Sequence, residues 1–412
     1  MNPRRTSEAQ GQNSQEVAFD IPLLAPSAEA PAPVRLDQAV GEAMRLLPPR
    51  GPLAVLVNDP QRHTDSAPVL RALARQADPR RISLLVACGT HSFAPEVKAG
   101  FAKRLLAAAS AAAVTWHDCR GDLVPVGARP NWLGHPWLLD SAGVLAVGSV
   151  EPHYFAGFTG AHKTATVGVA SRRDVEANHA HALDAACRPC RLAGNPVHEG
   201  IAAMLAALEQ VRPVAAVNLV QAGPRILAAA GGRATESLHA AVPAAEAAFV
   251  RTIDRPADCL VLEVAGPLGD SFYQADKAIK NSEHAVRDGG CIVLEAACRD
   301  GIGQDHFASP LREAPTHAAA VETVRRRGYR LGDHKAVRLR HLTDPACRAV
   351  RVFVVSPGLS AADAVVLGFT KATTIFAALA AAGIDPARDH TFRVADAGNV
   401  CVRVVSGLDE TP

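Results

Sequence analysis

Short, almost uninterrupted apolar runs that alternate with helix-like segments constrain the fold of this chain more than any other feature. In the first part of the sequence these runs are LAVLVN (53–58), ISLLVAC (82–88), AAVTWH (112–117) and GVLAVGSV (143–150), with helical patterns at 65–76 and 95–109. Strands that are apolar on both faces are typical of a buried parallel sheet covered by helices. The sequence therefore predicts an α/β fold with mainly parallel sheets.

The alternation continues toward the C-terminus. It predicts a helix at 197–209, strands at 213–219 and 225–230, a helix at 234–251, then strand 258–266, helix 273–288, strand 291–297, helix 315–327, strand 351–356, helix 371–383 and a last strand at 399–405. The segment RTIDRPAD (251–258) is the most linker-like stretch in the middle of the chain. It predicts a domain boundary.

A chain of 412 residues is too long for one ordinary core and favours two domains. We predict a disordered tail at 1–16, an N-terminal α/β domain at 17–252 and a C-terminal α/β domain at 253–389. Residues 390–412 then form a C-terminal segment that packs back on the first domain or belongs to the second.

Composition narrows the class of partner. Hydrophobic residues make up 48% of the chain, charged residues 20%, and the formal net charge is only +2. This balance argues against a nucleic-acid or membrane partner and favours a small molecule. No apolar run approaches the ~20 residues of a membrane span, and the nine cysteines are scattered as in a reduced protein. We therefore expect a cytoplasmic location.

Polar side chains follow three of the predicted strands. Asp59 and Arg62 come after the first, His91 after the second, and His153 after the strand at 143–150. Each alone is explained by capping, packing or a turn. Because ligands bind at the carboxyl ends of strands in such sheets, their convergence predicts a site for an anionic substrate, with Arg as anion donor and His as proton carrier.

The sequence gives less support to three other kinds of site: a nucleotide-triphosphate loop, a dinucleotide site and a zinc site. The glycines around Lys163 are not a nucleotide-triphosphate loop, because His162 stands where that loop has glycine. No G-x-G-x-x-G motif follows a strand in the first domain, which weakens ordinary dinucleotide binding. Cys187 and Cys190, with His179 and His181 nearby, leave two interpretations open: a zinc site, or a turn around Pro189.

One stretch carries a specific resemblance. The sequence reads PHYFAGFTGAHK at 152–163 and NH at 178–179, and the separations between His153, Lys163 and His179 match those of a known pattern. Matching segments, spread over most of residues 50–310, are D-x-x-R at 59–62, GTH at 89–91, GNPVHEG at 194–200 and FYQADKA at 272–278. The chain resembles the nickel-dependent lactate racemase family.

The resemblance implies a cofactor, the nickel-pincer nucleotide, a pyridinium mononucleotide that carries nickel on two sulfurs and a ring carbon. Lys163 would be joined to it through a thioamide or would hold it noncovalently, and His179 would be the one protein ligand to nickel. Asp59 and Gly160 would contact the cofactor. Soft sulfur and carbon with one imidazole suit square-planar nickel.

The resemblance also implies an activity: racemisation or epimerisation of a 2-hydroxy acid, in a cleft between the domains. His91 and His153 would be the acid and base, since a racemase must move the hydroxyl proton of either enantiomer. The α-hydrogen would leave as hydride and return to the other face of a 2-keto acid. Arg62 and Lys277 would bind the carboxylate, with Tyr273 and Gln274 beside them.

Two other functions remain open at this point. The same histidines would suit a zinc-dependent hydrolase or lyase, and a non-catalytic carrier of the nucleotide is a further alternative. GAHK (160–163) stands where the family has G-G-x-K, and Val167 stands where it has proline. Under any of the cofactor-based readings, enzymes that synthesise the nucleotide are expected partners.

Overall fold

The computed structural model describes residues 21–405 except 31, 63, 112, 129–130 and 304. The tail predicted at 1–16 lies outside these residues. Two six-stranded sheets dominate the described part of the chain.

The first sheet is built from the N-terminal part of the chain. In spatial order its strands are β11 (Arg225–Gly232), β10 (Val214–Ala222), β7 (Gly143–Ser149), β2 (Leu53–Asn58), β3 (Ile82–Ala87) and β4 (Ala113–Trp116). All neighbours are parallel except β10 and β11, which form an antiparallel hairpin. Parallel β7, β2 and β3 therefore end side by side.

The second sheet is wholly parallel. In spatial order its strands are β1 (Leu23–Leu24), β17 (Thr391–Val394), β13 (Ala257–Val264), β14 (Val286–Ala296), β15 (Arg351–Val355) and β16 (Thr370–Ala372). The predicted fold class, α/β with mainly parallel sheets, is confirmed.

Helices fill the crossovers of both sheets. Those of the N-terminal part are α1 (Leu36–Met44), α2 (Ala67–Gln76), α3 (Pro95–Ala109), α4 (Trp137–Asp140), α5 (Ala161–Thr164), α6 (Arg172–Ala180), α7 (Pro196–Glu209) and α8 (Ala234–Phe249). Those of the C-terminal part are α9 (Phe272–Ser282), α10 (Asp305–Glu313), α11 (His317–Arg327), α12 (Asp333–Thr343), α13 (Ala361–Leu367) and α14 (Ile375–Ala382). No helix in the described part of the chain is long and apolar enough to span a bilayer.

Three two-stranded ribbons complete the fold. They are β5 (Val124–Val126) with β6 (Trp132–Gly134), β8 (Pro152–His153) with β9 (Gly157–Phe158), and β12 (Val250–Ile253) with β18 (Cys401–Val404). The first two are antiparallel and the third is parallel.

Alternate residues of each central strand belong to different cores, which explains the continuous apolar runs. In β2, Leu53, Val55 and Val57 pack with residues of α1 and α2. Ala54 and Leu56 point the other way and pack with residues of α7. A strand that is buried on both faces is apolar at nearly every position.

Two predicted helix boundaries are wrong, and the linker-like segment contains strands. The helix predicted at 273–288 ends at Ser282, and β14 begins at Val286, because the strand continues through the polar residues 287–290. The helix predicted at 371–383 begins only at Ile375, because residues 370–372 pair with β15. The linker-like segment 251–258 is largely strand: β12 pairs with β18, and β13 begins at Ala257. The predicted domain limits stay a prediction.

Candidate active site

A cleft of about 830 Å³ lies where the carboxyl ends of β2, β3 and β7 face α9 and α12. Every side chain predicted for the site lines it: Asp59, Arg62, His91, His153, Gly160, Lys163, His179, Tyr273, Gln274 and Lys277. Residues far apart in the sequence therefore meet in one cavity. Their individual roles remain predictions.

His91 is oriented by a buried carboxylate. It follows β3 in a tight turn, and its Nδ1–H donates to Oδ2 of Asp59 over 3.0 Å. The side chain of Asp59 is only 2% exposed, and its Oδ1 accepts from the backbone N–H of Gln61 over 2.8 Å. With Nδ1 carrying the proton, Nε2 of the neutral ring is free to accept one.

His153 has the opposite arrangement. It ends β8 and is buried, and its Nδ1 accepts from the backbone N–H of Ala156 over 3.3 Å, which puts the proton of the neutral ring on Nε2. Burial, followed by the positive charges of Lys163 and Lys277, lowers the pKa of His153 well below its usual value. The cleft thus holds one imidazole with a free acceptor and one that presents an N–H.

His179, near the end of α6, has one ring nitrogen to spare. Its Nδ1–H donates to Oδ1 of Asn178 over 3.2 Å, and Asn178 is fixed in turn because its amide donates to the backbone oxygen of Val197 over 3.0 Å. Burial, with Lys163 and Arg62 nearby, lowers the pKa of His179 to about 3. Nε2 therefore keeps its lone pair, as a metal ligand requires.

Lys163 is held in a positively charged environment. Desolvation, together with the charges of Arg62 and Lys277, lowers its pKa to about 7, and Glu151 opposes this shift. Its Nζ lies 5.5 Å from the ring centre of Phe155. A substantial fraction of this amine is uncharged near neutral pH, which makes it a competent nucleophile.

The ring of Phe155 is central to the cleft wall. Its centre lies 4.4 Å from that of His153 and 5.0 Å from that of His179, in edge-to-face geometry. The hairpin β8–β9, which carries His153 and Phe155, turns at 154–156 and continues at Gly157, where a Cβ would lie 2.1 Å from the carbonyl oxygen of Arg191. Only glycine allows the hairpin to pack this closely.

Helix α9 lines the side of the cleft that belongs to the second sheet. Lys277 forms an ion pair with Glu151 at 3.6 Å, so the predicted carboxylate donor already contacts an acidic residue of the other side. Gln274 and Tyr273 lie one turn earlier on the same helix. Burial raises the pKa of the Tyr273 hydroxyl, which keeps it a neutral hydrogen-bond donor.

Sequence reasoning missed α12 and two of its cleft residues. His334 and Lys335 line the cavity, and Lys335 donates to the backbone oxygen of Tyr273 over 2.6 Å. The helix begins after Gly332, with Asp333 in its first turn, a start signal that was available in the sequence. Glu151, directly after the strand at 143–150, was also missed.

The zinc interpretation finds no support in the geometry. The Sγ atom of Cys190 lies 3.9 Å from that of Cys401, whereas the thiol of Cys187 donates to the backbone oxygen of His181 over 3.1 Å. Among the described residues, no group of three or more His, Cys, Asp or Glu side chains is placed to hold a metal ion. Zinc sites usually need three or four protein ligands.

Sequence comparison places both halves of the chain in one family. The lactate racemase N-terminal domain matches residues 36–188, and the lactate racemase C-terminal domain matches residues 253–389. The lactate racemase of Thermoanaerobacterium thermosaccharolyticum is 30% identical over 190 residues, 45% of this chain and 43% of that protein. The lactate racemase of Lactiplantibacillus plantarum is 26% identical over 255 residues, 58% of this chain and 57% of that protein. These alignments span about half the length of the curated relatives.

Solved structures support the same fold over nearly the whole chain. The lactate racemase apoprotein from T. thermosaccharolyticum superposes with a TM-score of 0.77 at 20% identity, covering 93% of this chain and 94% of that one. A protein from Thermotoga maritima gives a TM-score of 0.65 at 14% identity, covering 90% and 97% of the two chains.

The fold and the cleft define an α/β protein with two mainly parallel sheets and a histidine-rich cavity between them. Within that class, the two domain matches are decisive. The chain belongs to the lactate racemase family.

Proposed function

We propose that this protein is a racemase or epimerase of a 2-hydroxy acid that uses a nickel-pincer nucleotide. The observation that carries the proposal is the meeting of His91, His153, Lys163 and His179 in one cleft, each in a chemical state suited to a different task. The family membership of both halves of the chain supports it.

The residues present fit such a cofactor. His179 offers a single unprotonated nitrogen. Among the described residues no group of three or more His, Cys, Asp or Glu side chains is placed to hold a metal, so a nickel ion bound here would need ligands supplied by the nucleotide itself. Lys163 offers an amine of low pKa that can hold a thioacid group by charge or by a covalent bond. When bound, the nucleotide would supply a carbon that accepts and returns hydride.

The two imidazoles would handle the hydroxyl proton. When its ring is neutral, His91 would accept the proton at Nε2, and Asp59 would stabilise the imidazolium that forms. His153 would present Nε2–H to the oxygen of the flat keto acid. For the other enantiomer the roles reverse: the proton of His153 would move from Nε2 to Nδ1, with loss of the long bond from Ala156, so that Nε2 can accept, and His91 would start as the imidazolium beside Asp59.

The substrate carboxylate would bind to the cationic side of the cleft. Arg62 and Lys277 both lie close enough to Lys163 to depress its pKa, so an anion entering here relieves mutual repulsion. A bound carboxylate would compete with Glu151 for Lys277. Phe155 and Tyr273 would face the rest of the substrate.

The test is to produce the chain together with the enzymes that make the nucleotide and to measure three quantities: nickel content, intact mass, and loss of optical rotation across a panel of 2-hydroxy acids. We expect stoichiometric nickel and turnover of at least one acid. A covalent mass increment that is absent from Lys163→Ala would establish the tether.

The same experiment separates the alternatives. Bound zinc with hydrolysis or elimination activity would favour the hydrolase or lyase, and nickel without turnover of any acid would favour a carrier. His179→Ala should lose nickel, whereas His181→Ala, an exposed neighbour outside the cleft, should keep it. Equal nickel in both variants would contradict the ligand assignment.

A further inference from the structure

The residue that follows His153 is held from the opposite side of the cleft. The hydroxyl of Tyr154 lies 3.0 Å from Nε2 of His334 on α12, although 180 residues separate the two in sequence. The ring of Tyr154 stacks on that of His153, with centres 5.1 Å apart and planes at 14°. The orientation of one imidazole is thus connected to the other by a single aromatic ring.

His334 is itself fixed at both nitrogens. Its Nδ1 lies 2.7 Å from the hydroxyl of Tyr329, while Nε2 faces Tyr154. The side chain is 3% exposed, and its ring packs edge-on against Phe155 with centres 4.9 Å apart. A buried ring with both nitrogens bonded has little freedom to turn.

A third contact fixes the backbone of the same residue. Arg338, one turn further along α12, donates to the carbonyl oxygen of Tyr154 over 3.2 Å and to that of Cys187 over 3.1 Å. Glu283 holds the guanidinium at 2.6 Å. Helix α12 therefore forms hydrogen bonds with both the side chain and the main chain of Tyr154.

We propose that His334 is a positioning residue that fixes His153 through the hydroxyl of Tyr154. The inference rests on the proposed function, since it assigns His334 to the base of that same reaction. Because Tyr154 and His334 come from opposite sides of the cleft, His153 is fully oriented only when α12 is docked against the hairpin β8–β9.

The matched variants are His334→Gln and His334→Asn. The amide of glutamine reaches the position of Nε2 and can keep the bond to Tyr154, whereas the amide of asparagine reaches that of Nδ1 and keeps only Tyr329. Tyr154→Phe removes the hydroxyl and preserves the stacked ring. We expect His334→Asn and Tyr154→Phe each to lower kcat about 10-fold, the effect of losing one hydrogen bond, with KM within about twofold. His334→Gln should keep most of the wild-type rate.

A readout independent of turnover is the imidazole nitrogen NMR spectrum of the apoprotein. His153 should show one neutral tautomer in the wild type and in His334→Gln, and exchange-averaged nitrogens in His334→Asn and Tyr154→Phe. His91, held by Asp59, is the internal control and should not change.

Equal kcat and equal His153 spectra in the Gln and Asn variants would overturn the proposal. So would additive losses in the Tyr154→Phe, His334→Asn double variant, because two residues acting through one bond cannot lose it twice. If the wild type converts no hydroxy acid, the proposed function fails, and the spectra alone still decide the positioning role.

Discussion

At the scale of single residues, the distribution of protons distinguishes the histidines of the cleft. His91 has a free Nε2 because a carboxylate holds Nδ1, and His153 has a protonated Nε2 because a backbone N–H holds Nδ1. The sequence predicted that His91, His153 and His179 meet but missed His334. It could not predict their tautomers, because these depend on Asp59 and Ala156, whose contacts exist only in the folded chain.

Removing either imidazole tests the acid and base assignment. We expect His91→Ala and His153→Ala each to lower kcat by about 100-fold or more, the usual contribution of a positioned proton carrier. Steady-state rates of the nickel-loaded protein, measured from each enantiomer separately, check this. His181→Ala is the control, and wild-type rates in either test variant would refute the assignment.

The hydrogen bond between His91 and Asp59 leads to a separate prediction. Asp59→Asn keeps the shape but offers an amide that can donate to Nδ1, which would move the proton of His91 to Nε2 and remove the acceptor. We expect kcat to fall by roughly 10²–10⁴ with nickel content retained. The control is Asp270→Asn, a cleft carboxylate that pairs with Arg299 at 2.9 Å. A loss of nickel that accompanies the loss of rate would show that Asp59 serves the cofactor and not only His91.

At the scale of elements, the sequence predicted the strands and helices whose pattern of apolar residues follows from burial alone. Strands such as β2 and β7 are buried on both faces, so their apolar runs mark both their ends and the polar residues after them. Helix α12 escaped prediction because its buried face includes Asp333, His334, Lys335 and Arg340, which are satisfied by partners elsewhere in the fold. Polar residues buried by specific partners leave no periodic signal.

The hairpin β8–β9 should be intolerant of any side chain at Gly157, the first residue after its turn. Gly157 has φ +74°, and a Cβ there would lie 2.1 Å from Arg191 O, whereas Gly223, with φ +56°, has open space around it. Gly223→Ala should cost about 1–2 kcal/mol for the left-handed backbone alone. Gly157→Ala should cost more than about 4 kcal/mol or abolish soluble expression. Urea unfolding of the two apoproteins is the measurement, and equal losses would contradict the close packing.

At the scale of the whole molecule, the cleft concentrates histidines that fold in the neutral state. Burial, followed by neighbouring positive charges, lowers the pKa of the cleft residues His153, His179 and His334 well below 6.5. Burial does the same for His162, which lies next to the cleft residue Lys163 in the sequence. Below about pH 6.5 the unfolded chain binds protons that the folded chain does not. Stability conferred by the neutral rings is therefore complete above that pH and is lost as pH falls.

This gives a prediction for the apoprotein. The free energy of unfolding should decrease from about pH 7 to pH 5, with each neutral histidine contributing a slope of up to about 1.4 kcal/mol per pH unit. Urea titrations across this range measure it, and His179→Gln should reduce the slope. Constant or rising stability on acidification would show that these rings take up protons without unfolding.

The parallel ribbon of β12 and β18 has a consequence for how the molecule opens. The chain passes into the second sheet directly after β12 and emerges from it just before β18, with Val250 beside Cys401 and Ile253 beside Val404. A further crossing leads from β1 of the second sheet to α1, and it runs beside the same ribbon, because the backbone N–H of Ser27 donates to the carbonyl oxygen of Ala248 over 2.8 Å. These crossings therefore share one point of attachment. If the two sides of the cleft separate while these hydrogen bonds are kept, they have to rotate about the ribbon of β12 and β18. The cleft then widens most at the edge that lies farthest from this ribbon.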